Sequence, residues 1–223
     1  MASRRTFLST SLSMGLGAGA AMALASGGGS GLAGAAWARA TRPVRLNDGA
    51  GKGLRILILG GTGFLGPAVI DAAQARGHTL TAFNRGRTEQ RLGTARDGVE
   101  KRLGDRDPQV GEGLKSLETG EWDAVVDTSG YVPRVVKASA ELLAPRVKHY
   151  LFISSVSVYA ENSAPGADET ATIATMPDPT NENVQQYYGA LKALCEQAAE
   201  AAMPGKTTSV RPGLIVGPGD PTD

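Results

Sequence analysis

Cysteine is nearly missing from this 223-residue chain, where Cys195 stands alone. One thiol excludes an intrachain disulfide framework and a cysteine-rich metal site. Cys195 falls on a predicted helix among apolar neighbours, so it reads as a small buried side chain. Histidine is almost as scarce. With only His78 and His149, a His-based zinc centre is not expected, and no metal ligands are assigned. Strong charge of either sign is also missing. The formal net charge is +1, which argues against nucleic acid as the main partner. No acidic residue occurs before Asp48, and no charge at all lies between Arg5 and Arg39. The length suits one domain with an N-terminal extension. What the chain has in abundance is glycine, 30 residues of it.

Residues 1–40 read as a processing segment and not as fold. Arg4 and Arg5 sit within Ser3-Arg4-Arg5-Thr6-Phe7-Leu8, and a mildly apolar stretch of Ala, Gly, Ser and Leu follows. Ala36-Trp37-Ala38 and Ala38-Arg39-Ala40 each match a small-x-small cleavage site. The pattern resembles a twin-arginine (Tat) export signal. It predicts the Tat translocase as a partner and a periplasmic or otherwise extracytoplasmic location. A low-complexity tail is the alternative. As a permanent membrane helix the run is poor, because glycines and serines interrupt it. Without residues 1–40 the chain has 20 basic and 22 acidic residues, a net charge of −2. Residues 41–53 form a polar linker, and 54–223 form the domain.

The domain is organised around Ile56-Leu57-Ile58-Leu59-Gly60-Gly61-Thr62-Gly63-Phe64-Leu65-Gly66. A short apolar run enters a glycine turn, and an amphipathic stretch follows to about Arg76. Strand, turn and helix in that order suit a pyrophosphate, because glycines let the backbone approach and the helix start offers N–H groups. Both G-x-G-x-x-G and G-x-x-G-x-x-G can be read here. A tight turn without a ligand is the alternative, because a glycine pattern by itself is weak. Further strands are predicted at 78–83, 99–103, 122–128, 149–154 and 207–211. Helices are predicted at 108–117, 132–143 and 187–203. Residues 160–183, with Pro165, Pro177 and Pro179, read as a long loop over the crevice. Strands alternating with helices predict an α/β, doubly wound parallel sheet, the Rossmann arrangement, with ligands at the C-terminal strand ends.

The end of the second strand selects the cofactor. A carboxylate there bonds a ribose 2′-hydroxyl, whereas arginine suits a 2′-phosphate. Asn84-Arg85-Gly86-Arg87 carries no Asp or Glu, so of NAD and NADP the sequence favours NADP. Solvated loop arginines are the alternative. Tyr188 and Lys192 are four residues apart and share a helical face, one turn apart. A nearby ammonium favours the phenolate, which makes a tyrosine usable for proton transfer. Tyr187 lacks such a partner. Ser154, Ser155 and Ser157 leave the fifth strand towards the same crevice.

These residues together resemble the extended short-chain dehydrogenase/reductase superfamily, in its NAD-dependent epimerase/dehydratase branch. The resemblance covers about 54–223. It rests on GGTGFLG at 60–66, GDRD at 104–107, DAVVDTSGY at 123–131, YLFISSVSVYA at 150–160, YGALK at 188–192 and VRPGLIVGPGD at 210–220. Six motifs in order are far more specific than any one. The resemblance implies Tyr188 as general acid–base, Lys192 on the nicotinamide ribose, and Ser155 on the substrate oxygen. It implies cofactor contacts from Gly60, Thr62, Gly63, Phe64, Leu65 and Gly66 of the turn, from Asn84 and Arg85, and from Asp105 beside the adenine. Ser129 and Pro212 fall on the nicotinamide side.

Relatives usually continue into a smaller C-terminal substrate lobe, so the expectation is a chain in which that lobe is largely absent. The export signal is a second departure, because nucleotide sugars are cytosolic. The substrate is expected to be a small molecule, a sugar derivative among the candidates, and a homodimer is a candidate assembly. The leading function is hydride transfer at a secondary alcohol or ketone. The rivals are a non-catalytic dinucleotide-binding or RNA-binding protein on the same fold, and an inactive truncation product.

Overall fold

The first strand sets the architecture. β1 (Arg55–Leu59) places Ile56 and Ile58 in one core cluster and Leu57 and Leu59 in another. All four are buried. A strand covered on both faces belongs in a parallel sheet between helix layers. The computed structural model describes residues 53–88, 95–161, 165–166, 168–217 and 220. The predicted signal segment and all of the linker but its last residue lie outside them.

The remaining elements are α1 (Leu65–Gln74), β2 (Thr79–Asn84), β3 (Val99–Leu103), β4 (Trp122–Asp127), α2 (Pro133–Leu143), β5 (Val147–Ile153), α3 (Val184–Ala202) and β6 (Thr207–Val210). The six strands form one sheet in the order β3-β2-β1-β4-β5-β6. Every neighbouring pair is parallel. This is the predicted doubly wound Rossmann order, with its reversal between β1 and β4. Leu57 stands in register with Thr81 on one side and Val125 on the other.

Helices cover the two faces unequally. Ile70 and Ala73 of α1 close over Ile56, Ile58, Leu80 and Ala82. On the opposite face Val136, Ala140 and Leu143 of α2 meet Cys195 and Ala199 of α3 over Leu57, Val125 and Phe152. Cys195 is thus the buried core side chain that the sequence predicts. Each fully buried Leu or Phe contributes about 1.5–3 kcal/mol of transfer free energy.

Two predicted elements differ. Residues 108–117 are not an α-helix but a series of turns that ends in a 3-10 turn at Lys115–Leu117. Gly111 and Gly113 adopt φ of +58° and +52°, in the left-handed region that a continuous helix forbids. A Cβ at Gly113 would also lie 2.9 Å from the Pro108 backbone. The last helix starts earlier than predicted, at Val184, because the Asn183 side chain accepts the Gln186 N–H and caps it. Its backbone kinks at Tyr187 (φ −121°, ψ 29°). Among the described residues after β5, Ile173 pairs back with Tyr159 in an isolated antiparallel bridge.

Candidate functional site

Three glycines of the β1–α1 turn are glycine for three different reasons. Gly60 has φ +92°, and a Cβ there would lie 2.7 Å from the Ser129 Cβ. Gly66 packs α1 against the turn, where a Cβ would come within 2.4 Å of the Gly61 carbonyl carbon. Gly63 is different, because a Cβ there would meet nothing within 4 Å. The turn keeps this position bare towards open space, not towards other parts of the protein. α1 begins after Phe64 with no side-chain cap and no acidic residue in its first turn. Open space, a bare backbone and the positive end of a ten-residue helix form a cradle for an anion. Thr62 is buried beside it.

The other strand ends gather around this turn. Asn84 ends β2, and its Oδ1 accepts the Gly86 N–H at 2.7 Å. Its Nδ2 is buried with no partner. Arg85 and Arg87 follow and are exposed. Asp105 leaves β3 and turns the chain through its Oδ1, which accepts the Asp107 N–H at 3.0 Å. Ser129 leaves β4 against Gly60 and donates to the Leu59 carbonyl at 3.3 Å.

Ser155 leaves β5, and its Oγ accepts the Ser157 N–H at 3.1 Å. Pro212 leaves β6, and its carbonyl accepts the Val156 N–H at 3.0 Å, which joins the last strand to the serine turn. α3 docks on that turn through Gly189, where a Cβ would lie 2.0 Å from the Ser157 carbonyl oxygen. Only glycine admits this approach, and Tyr188 is its neighbour in the chain. The Tyr188 ring packs 6.4 Å from that of Tyr131, centroid to centroid.

Lys192 lies buried one turn further along α3. Its Nζ donates to the Gly130 and Ile153 carbonyls at 2.7 and 2.6 Å and sits 4.1 Å from the centre of the Phe152 ring. Burial pushes its pKa down to about 8, against a partial upward pull from the Asp127 charge. It therefore remains mostly protonated at neutral pH. Among the described residues no three His, Cys, Asp or Glu side chains gather to hold a metal ion.

A profile of the NAD dependent epimerase/dehydratase family matches residues 56–223. The chain belongs to that family. A 2-alkyl-3-oxoalkanoate reductase from Stenotrophomonas maltophilia (strain K279a) is 31% identical over 191 residues, which cover 75% of this chain and 52% of the reductase. The solved UDP-glucuronic acid 4-epimerase of Bacillus cereus, in complex with NAD, aligns with a TM-score of 0.57 at 16% identity, over 74% of this chain and 59% of that one. The Bordetella bronchiseptica enzyme WbmG in complex with NAD gives a TM-score of 0.56 at 18% identity, over 73% and 54%. At such identities the likeness is one of fold. The chain spans about half the length of the curated relative it matches.

This epimerase/dehydratase family member also holds a group that sequence reasoning passed over. Arg106 forms a two-pronged ion pair with Asp127, Nη1 to Oδ1 at 2.7 Å and Nη2 to Oδ2 at 2.9 Å. Asp127 is fully buried, and the Tyr150 hydroxyl donates to it at 2.7 Å. Burial opposes both charges, yet each partner's field prevails: the Arg106 pKa is raised and that of Asp127 lowered. The one signal in the sequence was an acidic residue at the end of an apolar strand, in Val125-Val126-Asp127, where burial demands a cation.

Proposed function

We propose that this chain binds a nicotinamide dinucleotide and carries the acid–base group of an oxidoreductase of the epimerase/dehydratase type. Gly63 carries the reading: its missing side chain serves no contact within the protein, only the approach of something to the turn. The residues fit the cofactor in a second respect. Asn84 Nδ2 is a buried donor without an acceptor, at the strand end where the adenosine ribose belongs in this fold. In this reading Gly60, Thr62, Gly63, Phe64, Leu65 and Gly66 hold the pyrophosphate. Asn84, Arg85 and Asp105 hold the adenosine half, and Ser129 and Pro212 flank the nicotinamide half. Arg85 and Arg87 favour the 2′-phosphate of NADP, although the solved relatives were captured with NAD.

The bound cofactor supplies hydride chemistry. Tyr188 moves the proton at the substrate oxygen, Ser155 orients that oxygen, and Lys192 holds the ribose and favours the phenolate. The reductase relative supports a carbonyl substrate, and the epimerases support a sugar derivative. Both offer a secondary alcohol or ketone, and the proposal commits to that group. The Arg4-Arg5 pair and the acid-free run after it support Tat-dependent export of the protein. Changing both arginines to lysine should hold the precursor in the cytoplasm, and undiminished export would overturn this part.

The decisive experiment is calorimetric titration of the chain with NAD and NADP. Gly63→Val should leave the unfolding free energy, read from urea denaturation, within about 0.5 kcal/mol, because the position faces open space. It should abolish binding, because the side chain fills the cradle. Wild-type protein that binds neither dinucleotide, or a valine variant that binds normally, would overturn the proposal. With a substrate in hand, Tyr188→Phe should lower the rate by about two to four decades. Tyr187→Phe should be mild, and the reverse pattern would place the acid–base one residue earlier.

A further inference from the structure

The Arg106 guanidinium does more than pair with Asp127. Nη1 also donates to the Ser129 hydroxyl at 3.0 Å, and Nη2 to the Ser139 hydroxyl at 2.9 Å. Asp127 Oδ1 accepts the Ser129 backbone N–H at 3.0 Å. Ser129 is thus gripped twice, through its hydroxyl by Arg106 and through its backbone by Asp127. Its single hydroxyl hydrogen is donated to the Leu59 carbonyl, immediately before the glycine turn. Arg106 is at the same time the chain neighbour of Asp105, on the loop that leaves β3. One planar side chain therefore joins the loop after β3, at the edge of the sheet, to the loop after β4, with β2 and β1 between them in the sheet.

A buried ion pair is a poor source of stability, because desolvating two charges roughly cancels their attraction. What it does fix is geometry. Four of the guanidinium's five N–H groups, those on Nη1 and Nη2, hold two loops at one spacing in a rigid fork, which a flexible ammonium cannot do. We infer that Arg106 is a positioning residue for the dinucleotide: it sets the separation of the Asp105 and Ser129 loops so that both halves of one cofactor are held at once. The inference rests on the dinucleotide-binding reading above. It assigns Arg106 no contact with substrate and no proton transfer.

The test uses the whole chain and NADPH or NADH, whose dihydronicotinamide fluoresces. Arg106→Lys keeps the charge facing Asp127 but cannot reach Ser129 and Ser139 together. Arg106→Leu combined with Asp127→Asn removes the ion pair as a unit and guards against misfolding of a single variant. The Asn keeps an acceptor for Tyr150. In both variants the dissociation constant should rise about ten- to a hundredfold, the weight of a lost charge-assisted contact. At saturating protein the bound dihydronicotinamide should show lower anisotropy, because its end of the crevice is no longer held. A merely structural role would lower the melting temperature and leave the fluorescence of the bound cofactor unchanged. Wild-type anisotropy and affinity in a folded variant would overturn the inference and leave the dinucleotide reading intact. Wild-type protein that binds no dinucleotide would overturn both.

Discussion

Two cations stand at the crevice, a partly buried Arg106 and a buried Lys192, and they are held in opposite ways. Arg106 faces a carboxylate with matching geometry, so its charge is compensated where it lies. Lys192 faces two backbone carbonyls and the face of Phe152, and burial pulls its proton affinity down. The first arrangement is closed, with both prongs of the fork occupied by Asp127. The second is open to exchange, because hydroxyls of a ligand can replace carbonyls as acceptors without stranding a charge. In the proposed reading the contrast separates two tasks on one strand-end surface, with a fixed cation to hold loops in place and an exchangeable one to meet the ligand.

Removing each cation in turn should have very different effects on stability. Arg106→Ala leaves the Asp127 carboxylate buried with only the Tyr150 hydroxyl and the Ser129 backbone N–H as donors. Stranding one member of a buried pair typically costs about 3–5 kcal/mol, a large part of a domain's stability. The urea midpoint should fall accordingly. Lys192→Met strands no carboxylate. It loses two hydrogen bonds but also removes a buried charge, so its stability change should be within about 1–2 kcal/mol. If the two variants lose equal stability, the distinction between them is wrong.

How much of this was legible beforehand follows from what each residue answers to. β1 and β4 are largely apolar runs bounded by glycine or acidic residues, and their limits come from local pattern, whereas β3 keeps only Val99 and Leu103 as apolar ends around three charged residues. Because the sheet is parallel, every candidate at a strand end was bound to converge with the others. The 108–117 segment misled, because Val110, Leu114 and Leu117 repeat at helical spacing while Gly111 and Gly113 decide the backbone. Arg106 was not legible. It lies between Asp105 and Asp107 in sequence, yet its partner is Asp127, 21 residues on, and only the crossover connection brings them together. Gly189 was quoted within a motif, but its packing on Ser157 is a fact of three dimensions.

The two cations also differ in their response to pH. The folded value for Lys192 is about 8, against about 10.4 in the unfolded chain. Between these values the unfolded state binds more protons, so stability rises with pH. The penalty for burying the ammonium is fully present below pH 8 and is relieved as pH climbs towards 10. Its size is on the order of 3 kcal/mol. Arg106 titrates nowhere near this window. Wild-type stability should therefore gain on that of Lys192→Met between pH 8 and 10, read from urea midpoints at each pH. Parallel curves would mean that Lys192 does not sense burial as described.

The smallest expected effect concerns the one group that both cations share. The Asp127 charge is the largest influence raising the Lys192 pKa, ahead of Cys195 and Glu196, while Arg106 lowers it by a lesser amount. The carboxylate that closes the Arg106 site therefore also helps keep Lys192 charged. Replacing the pair together, Arg106→Leu with Asp127→Asn, removes both influences, and the larger one should prevail. The Lys192 titration, followed by NMR of its Nζ, should move downward by less than about one unit, because the two losses partly cancel. An upward movement would mean that Arg106 outweighs Asp127 at Lys192. In that case the fixed cation would oppose the exchangeable one, and the division of tasks would rest on repulsion between them and not on a shared counter-charge.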